Sequence, residues 1–245
     1  MCLIALAYKV HPRYPLIVAA NRDEFRDRPA QAAHFWEDAP NILAGRDLRA
    51  GGTWMGITRT GRLAALTNHR DLRRTWSGNG ASRGILVRQA LAADFDPSSI
   101  GDHDGFNLLY GQLDAIHYHN NITSADFALE PGIHGLSNAF LNTPWPKVER
   151  AKEAMERVVA GKPEGLMDGL FELLVDSRTA PDDALPDTGL PLATERAISS
   201  IFIPGEAYGT RCSTVLLVAD DGTVRFEERS WPGLDRVGHT LVIRP

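Results

Sequence analysis

Two short apolar runs at the start of the chain constrain its fold more than any other feature. Cys2 to Val10 and Leu16 to Ala20 flank His11-Pro12-Arg13-Tyr14-Pro15, a proline-bounded loop, and together read as a β-hairpin. Neither run alternates apolar with polar residues, as a strand with one wet face would. Both strands therefore need cover on both faces, so the fold must be layered. Three further hairpins follow the same logic. Gly51 to Thr58 and Arg62 to Asn68 turn at Arg59-Thr60-Gly61, and Phe106 to Leu113 and Ile116 to His119 turn at Asp114-Ala115. Arg211 to Ala219 and Thr223 to Glu228 turn at Asp220-Asp221-Gly222, a strong turn signal. Leu241 to Ile243 reads as a last strand.

Helical spacing is confined to a few segments. Ser82 is a candidate cap for a helix from Gly84 to Ala93. Thr143-Pro144 makes a helix start, and Val148, Ala151, Met155 and Val158 recur at helical spacing until Gly161. Leu166 to Val175 and Glu195 to Ile201 are the other candidates, and Ser177 to Leu192 reads as loop. Hairpins, then helices, then hairpins again indicate α+β layering, with antiparallel sheets flanked by helices. A length of 245 residues with 43% hydrophobic content supports one domain spanning 1–245 and a substantial core. The net charge of −5, without a basic block, argues against nucleic acid or an anionic membrane as partner. No apolar stretch reaches the ~18–20 residues of a membrane span. No secretory signal pattern is present, and two cysteines cannot build a disulfide framework, so the expectation is a cytoplasmic protein. The sequence sets no oligomeric state.

Cys2 carries the first chemical signal. Removal of Met1, common when a small residue follows, would leave Cys2 with both a thiol and a free α-amine. These groups titrate near ~8.5 and ~7.7–8.0, so the amine can accept the thiol proton close to neutral pH. The competing reading is a small buried residue at the start of a strand. Asn21-Arg22-Asp23-Glu24 follows the second apolar run. In a tight hairpin the far end of the second strand lies beside the beginning of the first, which brings Arg22-Asp23 next to Cys2. A guanidinium there favours the thiolate, and a carboxylate can hold the ammonium. The competing reading of the tetrapeptide is a solvated charged turn.

Seven blocks in order make the chain recognisable: MCLI, AANRDEF, AGRDLRAGGTWMG, LTNHR, SRGILV, HGLSNAFLNTPWPKVE and YGTRCSTVLLV. They resemble the NRDE family, which includes the transport and Golgi organisation protein 2 homologues. The resemblance runs from Met1 to about Val218. It implies the N-terminal nucleophile (Ntn) hydrolase fold, a four-layer αββα sandwich, similar in layout to cysteine amidases acting on bile-salt conjugates and penicillin V. Carried over residue by residue, it implies a site of Cys2, Arg22, Asp23, Asn68, Asn138 and Arg211. The implied reaction is hydrolysis of an amide or thioester on a small acyl substrate, with no cofactor required. Asn68, Asn138 or a backbone N–H would hold the oxyanion, and Arg22 and Arg211 would bind a carboxylate or phosphate or tune the thiol. Against these roles stand strand-end hydrogen bonding for the two asparagines and a structural ion pair, for example with Asp23, for Arg211. Cys212 departs from the family pattern, which leads one to expect serine. It is either an isostere or, if close to Cys2, one half of a redox pair.

The family resemblance implies a second class of function, a non-enzymatic carrier of haem, or of lipid or acyl-CoA. Haem is then a transported ligand. No C-x-x-C-H is present, which excludes covalent c-type attachment. Axial-ligand candidates are His69, His103, His117, His119, His134 and Cys2 itself. Phe25, Phe35, Trp36, Trp54 and Trp145 could line a pocket for acyl chain or porphyrin, or could be core. No metal-binding or phosphate-cradling signature occurs. Asp102-His103-Asp104 reads as loop, and Gly45, Gly51, Gly52 and Gly56 as turns or close backbone approaches.

Overall fold

The computed structural model describes residues 2–75 and 81–243. Among them are the strands β1 (Cys2–Tyr8), β2 (Leu16–Phe25), β3 (Ala30–Trp36), β4 (Ala39–Asp47), β5 (Met55–Thr58) and β6 (Arg62–Asn68). Helix α1 (Arg83–Ala90) precedes β7 (Phe106–Gln112), β8 (Ala115–Asn120), β9 (Asp126–Ala128) and β10 (Gly132–Leu136). Then come α2 (Pro146–Val159), α3 (Leu166–Leu174), α4 (Leu192–Ala197), β11 (Tyr208–Val218), β12 (Thr223–Ser230) and β13 (Arg236–Val242).

The strands form two antiparallel sheets, one ordered β10-β1-β2-β11-β12-β13 and the other running β3 through β9 in sequence order. Every residue of β1 is buried, and its alternate side chains enter different layers. Ile4, Leu6 and Tyr8 join Val18, Leu216, Ile57 and Leu109 between the sheets. Leu3, Ala5 and Ala7 face the other way and pack with Ile17, Val148, Met155, Leu170 and Leu174, beneath α2 and α3. Helix α1 covers the second sheet through Leu86, Val87 and Ala90, against Ala64, Leu66 and Phe106. The result is the expected four-layer αββα sandwich. Each fully buried Leu or Ile supplies about 1.5–3 kcal/mol, which is why a strand without a polar face is stable only here.

Several elements depart from the sequence reading. Asn21-Arg22-Asp23-Glu24 is not a turn after the second strand, since β2 continues through it to Phe25. Asn21, Arg22 and Asp23 are 0%, 9% and 2% exposed. The extension persists because Asp23 and Arg22 pair with β11, so their backbone groups are satisfied in the sheet. Helix α2 opens at Pro146 behind Trp145 instead of at Thr143-Pro144; the second proline takes the first helical position, where its missing N–H costs nothing. The short helix expected over 195–201 begins earlier, at Leu192 after Pro191, and ends at Ala197. Strands β3, β4, β9 and β10 carried no sequence signal strong enough to be read, being alanine-rich, glycine-containing or very short.

Candidate active site

The hairpin register places Cys2 directly opposite Arg22. Arg22 in turn pairs with Cys212 of β11. Directly paired residues share a face, so Cys2, Arg22 and Cys212 form a row across three strands on the inner side of the first sheet. Two strand spacings separate the sulfur-bearing residues, about 10 Å, beyond the ~7 Å Cα separation that a disulfide tolerates. Both cysteines are free. Asp23, one residue further, faces the helical layer. Its Oδ1 accepts a hydrogen bond from Thr210 Oγ1 at 2.7 Å. In the antiparallel register Asp23 lies just past the partner of Cys2, on the side of the Cys2 backbone nitrogen. Met1 lies outside the described residues.

A bulge between Thr210 and Cys212 makes Arg211 the extra residue of β11. Its Nη1 donates to the carbonyls of Phe25, Arg26 and Arg28 at 2.7, 3.1 and 3.0 Å, tying down the chain that leaves β2. Among the described residues the Arg211 guanidinium bonds carbonyls, and Asp23 bonds Thr210. Asn68 and Asn138 are placed differently. Asn68 ends β6 and lines the cleft described below. Asn138 is fully buried; its Nδ2 donates to the Asn68 carbonyl at 2.9 Å, and its Oδ1 accepts from Ser137 at 3.2 Å. Asn138 thus braces the end of β6 and lies away from the cleft surface.

Beside the cysteine row opens a cleft of about 730 Å³. Its lining includes Cys2, Arg22, Asn68, Arg211, Cys212 and, from the second sheet and α1, Trp54 and Arg83. Of the five aromatic residues proposed for a pocket, Trp54 alone lies there. Trp36 is fully buried in the α1 layer, Phe25 is exposed, Phe35 stacks on Arg59, and Trp145 stacks on Arg70. None of the five candidate histidines lines the cleft. His117 and His119 flank Asp126 at 3.4 and 3.2 Å, whereas His134 hydrogen-bonds Glu130 and Asn142. Among the described residues no cluster of His, Cys, Asp and Glu could hold a metal ion.

Burial pushes the Cys2 thiol above its ordinary pKa, and the nearby Asp23 carboxylate adds to this. Arg22 and the Asp23 backbone N–H pull the other way. The Cys212 thiol is pushed up by burial and by Glu228. Asp23 is itself raised by burial, then drawn back by the Lys147 ammonium and the Thr210 hydroxyl. Lys147 was not anticipated. It is 2% exposed, donates to the Ile198 carbonyl at 3.2 Å, and burial lowers its pKa to about 8. Beside it, Arg70 and Glu195 form a buried ion pair at 2.7 Å. Arg83, in the SRGILV block, and Glu228 were likewise missed; long-range pairing, not local pattern, brings both to the cleft.

The model of the Transport and Golgi organisation 2 family matches residues 1–232. The chain belongs to this family. It is 39% identical to the human Transport and Golgi organization protein 2 homolog, over 94% of this chain and 93% of that protein. The Drosophila melanogaster protein is 26% identical over 97% and 95% of the two chains. Among solved structures, a Caenorhabditis elegans N-acylethanolamine-hydrolyzing acid amidase ortholog superposes with a TM-score of 0.51 at 10% identity. That match covers 88% of this family member and 92% of the amidase chain. Together with the two-sheet, helix-flanked architecture, this likeness identifies the fold as the Ntn-hydrolase type. No helix among the described residues is long and apolar enough to cross a membrane.

Proposed function

We propose that this family member is an Ntn-type cysteine hydrolase acting on an amide or thioester through Cys2. The observation that carries the reading is the pairing of Cys2 with Arg22 at the cleft floor, with Asp23 on the side of the Cys2 backbone nitrogen. Once Met1 is removed, that nitrogen is an α-amine beside a carboxylate. Because burial holds the thiol above its usual pKa, the nucleophile needs a base, and the amine is the nearest.

The thiol proton passes to the α-amine as Sγ attacks the substrate carbonyl, forming a C–S bond and an oxyanion. Asn68 supplies a side-chain amide at the cleft surface for that oxyanion; such a donor is worth about 2.7–4 kcal/mol in well-studied enzymes. Collapse breaks the C–N or C–S bond, and the α-ammonium returns its proton to the departing amine or thiolate. Water, deprotonated by the same amine, then cleaves the Cys2 thioester. Arg22 favours the thiolate, and Asp23, its carboxylate held by the Thr210 hydroxyl and the Lys147 charge, fixes the ammonium from the helical side. The related fold of an enzyme described as an acid amidase supports the amide alternative.

The carrier reading, for haem or an acyl-CoA, has less support at this site. No histidine lines the cleft, so haem iron would rely on Cys2 or Cys212. Intact mass spectrometry, followed by incubation with amide and thioester panels, tests the proposal. Loss of Met1, a transient acyl adduct on Cys2 and abolition of turnover in Cys2→Ala support it. Retained Met1, or turnover that survives Cys2→Ala, overturns it.

A further inference from the structure

The cleft carries guanidinium groups whose charge the fold leaves largely unneutralised. Arg22 is nine-tenths buried, yet among the described residues its guanidinium makes no hydrogen bond. Its carboxylate contact, Glu24 Oε2, stands at 3.9 Å, beyond hydrogen-bond range. Across the cleft Arg83, the first residue of α1, donates Nη1 to the Gly105 carbonyl at 3.0 Å; the acidic groups acting on it are first Asp104, without an ion-pair contact, and then the Cys2 thiolate. Among the described residues Arg211 bonds carbonyls through Nη1, which does not cancel its charge.

The carboxylates of the same cleft are engaged elsewhere or stand off. Asp47 takes Arg28 Nε and Nη2 at 2.9 and 2.5 Å. Glu228 accepts from the Ala33 N–H at 2.9 Å, and burial favours its neutral form. Asp23 turns to the helical layer. Glu24 lies 3.8 Å from Arg28 as well as 3.9 Å from Arg22, and neither Asp104 nor Asp235 forms an ion pair within 4 Å among the described residues. The first turn of α1 contains no acidic residue and Ser82 makes no side-chain cap, although the Ile85 N–H bonds the Ser82 carbonyl at 3.1 Å; Ala81 to Gly84 line the cleft.

We propose that Arg22 and Arg83 form an anion subsite beside Cys2. It selects substrates whose acyl or leaving group bears a phosphate or carboxylate, and disfavours neutral amides. This deepens the hydrolase reading by naming its substrate class, and it rests on that reading only in taking the anion to be part of a substrate.

The test compares alkylation of Cys2 by iodoacetate, an anion, with alkylation by neutral iodoacetamide, resolved by peptide mapping. The ratio of the two rates cancels the thiolate fraction, which both reagents share. The ratio in the wild-type protein should exceed that of a small free thiol by about tenfold, the size of one charge pair in a half-wet cleft. It should fall toward the free-thiol value in Arg83→Gln and recover in part in Arg83→Lys. A wild-type ratio equal to that of the free thiol, or one unmoved by Arg83→Gln, overturns the subsite. Calorimetric titration with inorganic pyrophosphate and with succinate separates phosphate from carboxylate preference, and either heat should vanish in Arg83→Gln. If neither reagent labels Cys2, the hydrolase reading fails and the titration alone decides the subsite. Absence of binding by both anions then overturns it too.

Discussion

Replacing Asn21, the first residue of the NRDE tetrapeptide, by alanine should damage stability far more than chemistry. Asn21 is wholly buried on the helical side of β2. Its Nδ2 donates to the carbonyls of Leu174, at the end of α3, and Ile201, at 2.8 and 2.9 Å. Its Oδ1 accepts from Ser213 Oγ at 2.6 Å, and that hydroxyl accepts from Trp231 Nε1 at 2.9 Å. One amide therefore ties β2 to α3, to the 198–203 segment and to β11. Asn21→Ala strands two buried carbonyls and deprives a buried hydroxyl of its acceptor. Each such loss costs about 1–3 kcal/mol, and partial relaxation brings the sum to about 3–5 kcal/mol. For a chain of this size that lowers Tm by about 6–20 °C. Urea unfolding followed by circular dichroism, with calorimetry for Tm, measures it. Asn21→Asp should cost at least as much, because a carboxylate oxygen would then face the two carbonyls. At temperatures where the variant is folded, alkylation of Cys2 should stay within about threefold of wild type. A destabilisation below about 1 kcal/mol would refute the reasoning, since it would mean these bonds have ready substitutes.

Three other outcomes are expected. Arg22→Gln removes a cation that favours the Cys2 thiolate, so the pH–rate profile of Cys2 alkylation should move to higher pH, and an unmoved profile would show the guanidinium too well solvated to act. Lys147 has a folded-state pKa depressed from 10.5 to about 8, so the folded protein binds fewer protons between these values and stability from this group rises with pH across that window. Relative to Lys147→Met, wild-type stability in urea titrations should increase from pH 8 to pH 10, by at most about 1.4 kcal/mol per pH unit, and a flat or falling difference would contradict the burial argument. A Cβ on Gly52 would sit 2.4 Å from the Gly84 carbonyl carbon and oxygen and 2.7 Å from the Ile85 nitrogen, so Gly52→Ala must push α1 off the cleft wall. It should cost about 2 kcal/mol or more by urea unfolding and alter the accessibility of Cys2, whereas a neutral result would mean α1 yields freely.

Local sequence determined the parts of this protein that depend on near neighbours. The double-faced apolar runs of β1 and β2 allow only a covered hairpin, and hairpin register alone brings Cys2 to Arg22, because antiparallel pairing converts sequence distance into spatial adjacency. Gly222 at the β11–β12 turn, with φ of 80°, was equally legible, since the turn requires a residue free of Cβ strain. Tertiary structure decided what depends on far partners. Asn21 to Asp23 are strand and not turn because β11, almost two hundred residues later, pairs with them. Arg211 is aimed by a bulge, which leaves no mark on composition or periodicity. Asn68 faces the cleft while Asn138 braces it, a division set by how β6 and the segment after β10 meet, not by either residue's immediate neighbours. Lys147 became a buried cation near Asp23 only when α2 settled on the first sheet, and Arg83 reached the cleft only because α1 closes its far wall. Periodicity reports which residues leave water; it carries no information about which buried or half-buried charges then face one another, and in this protein those long-range encounters make the site.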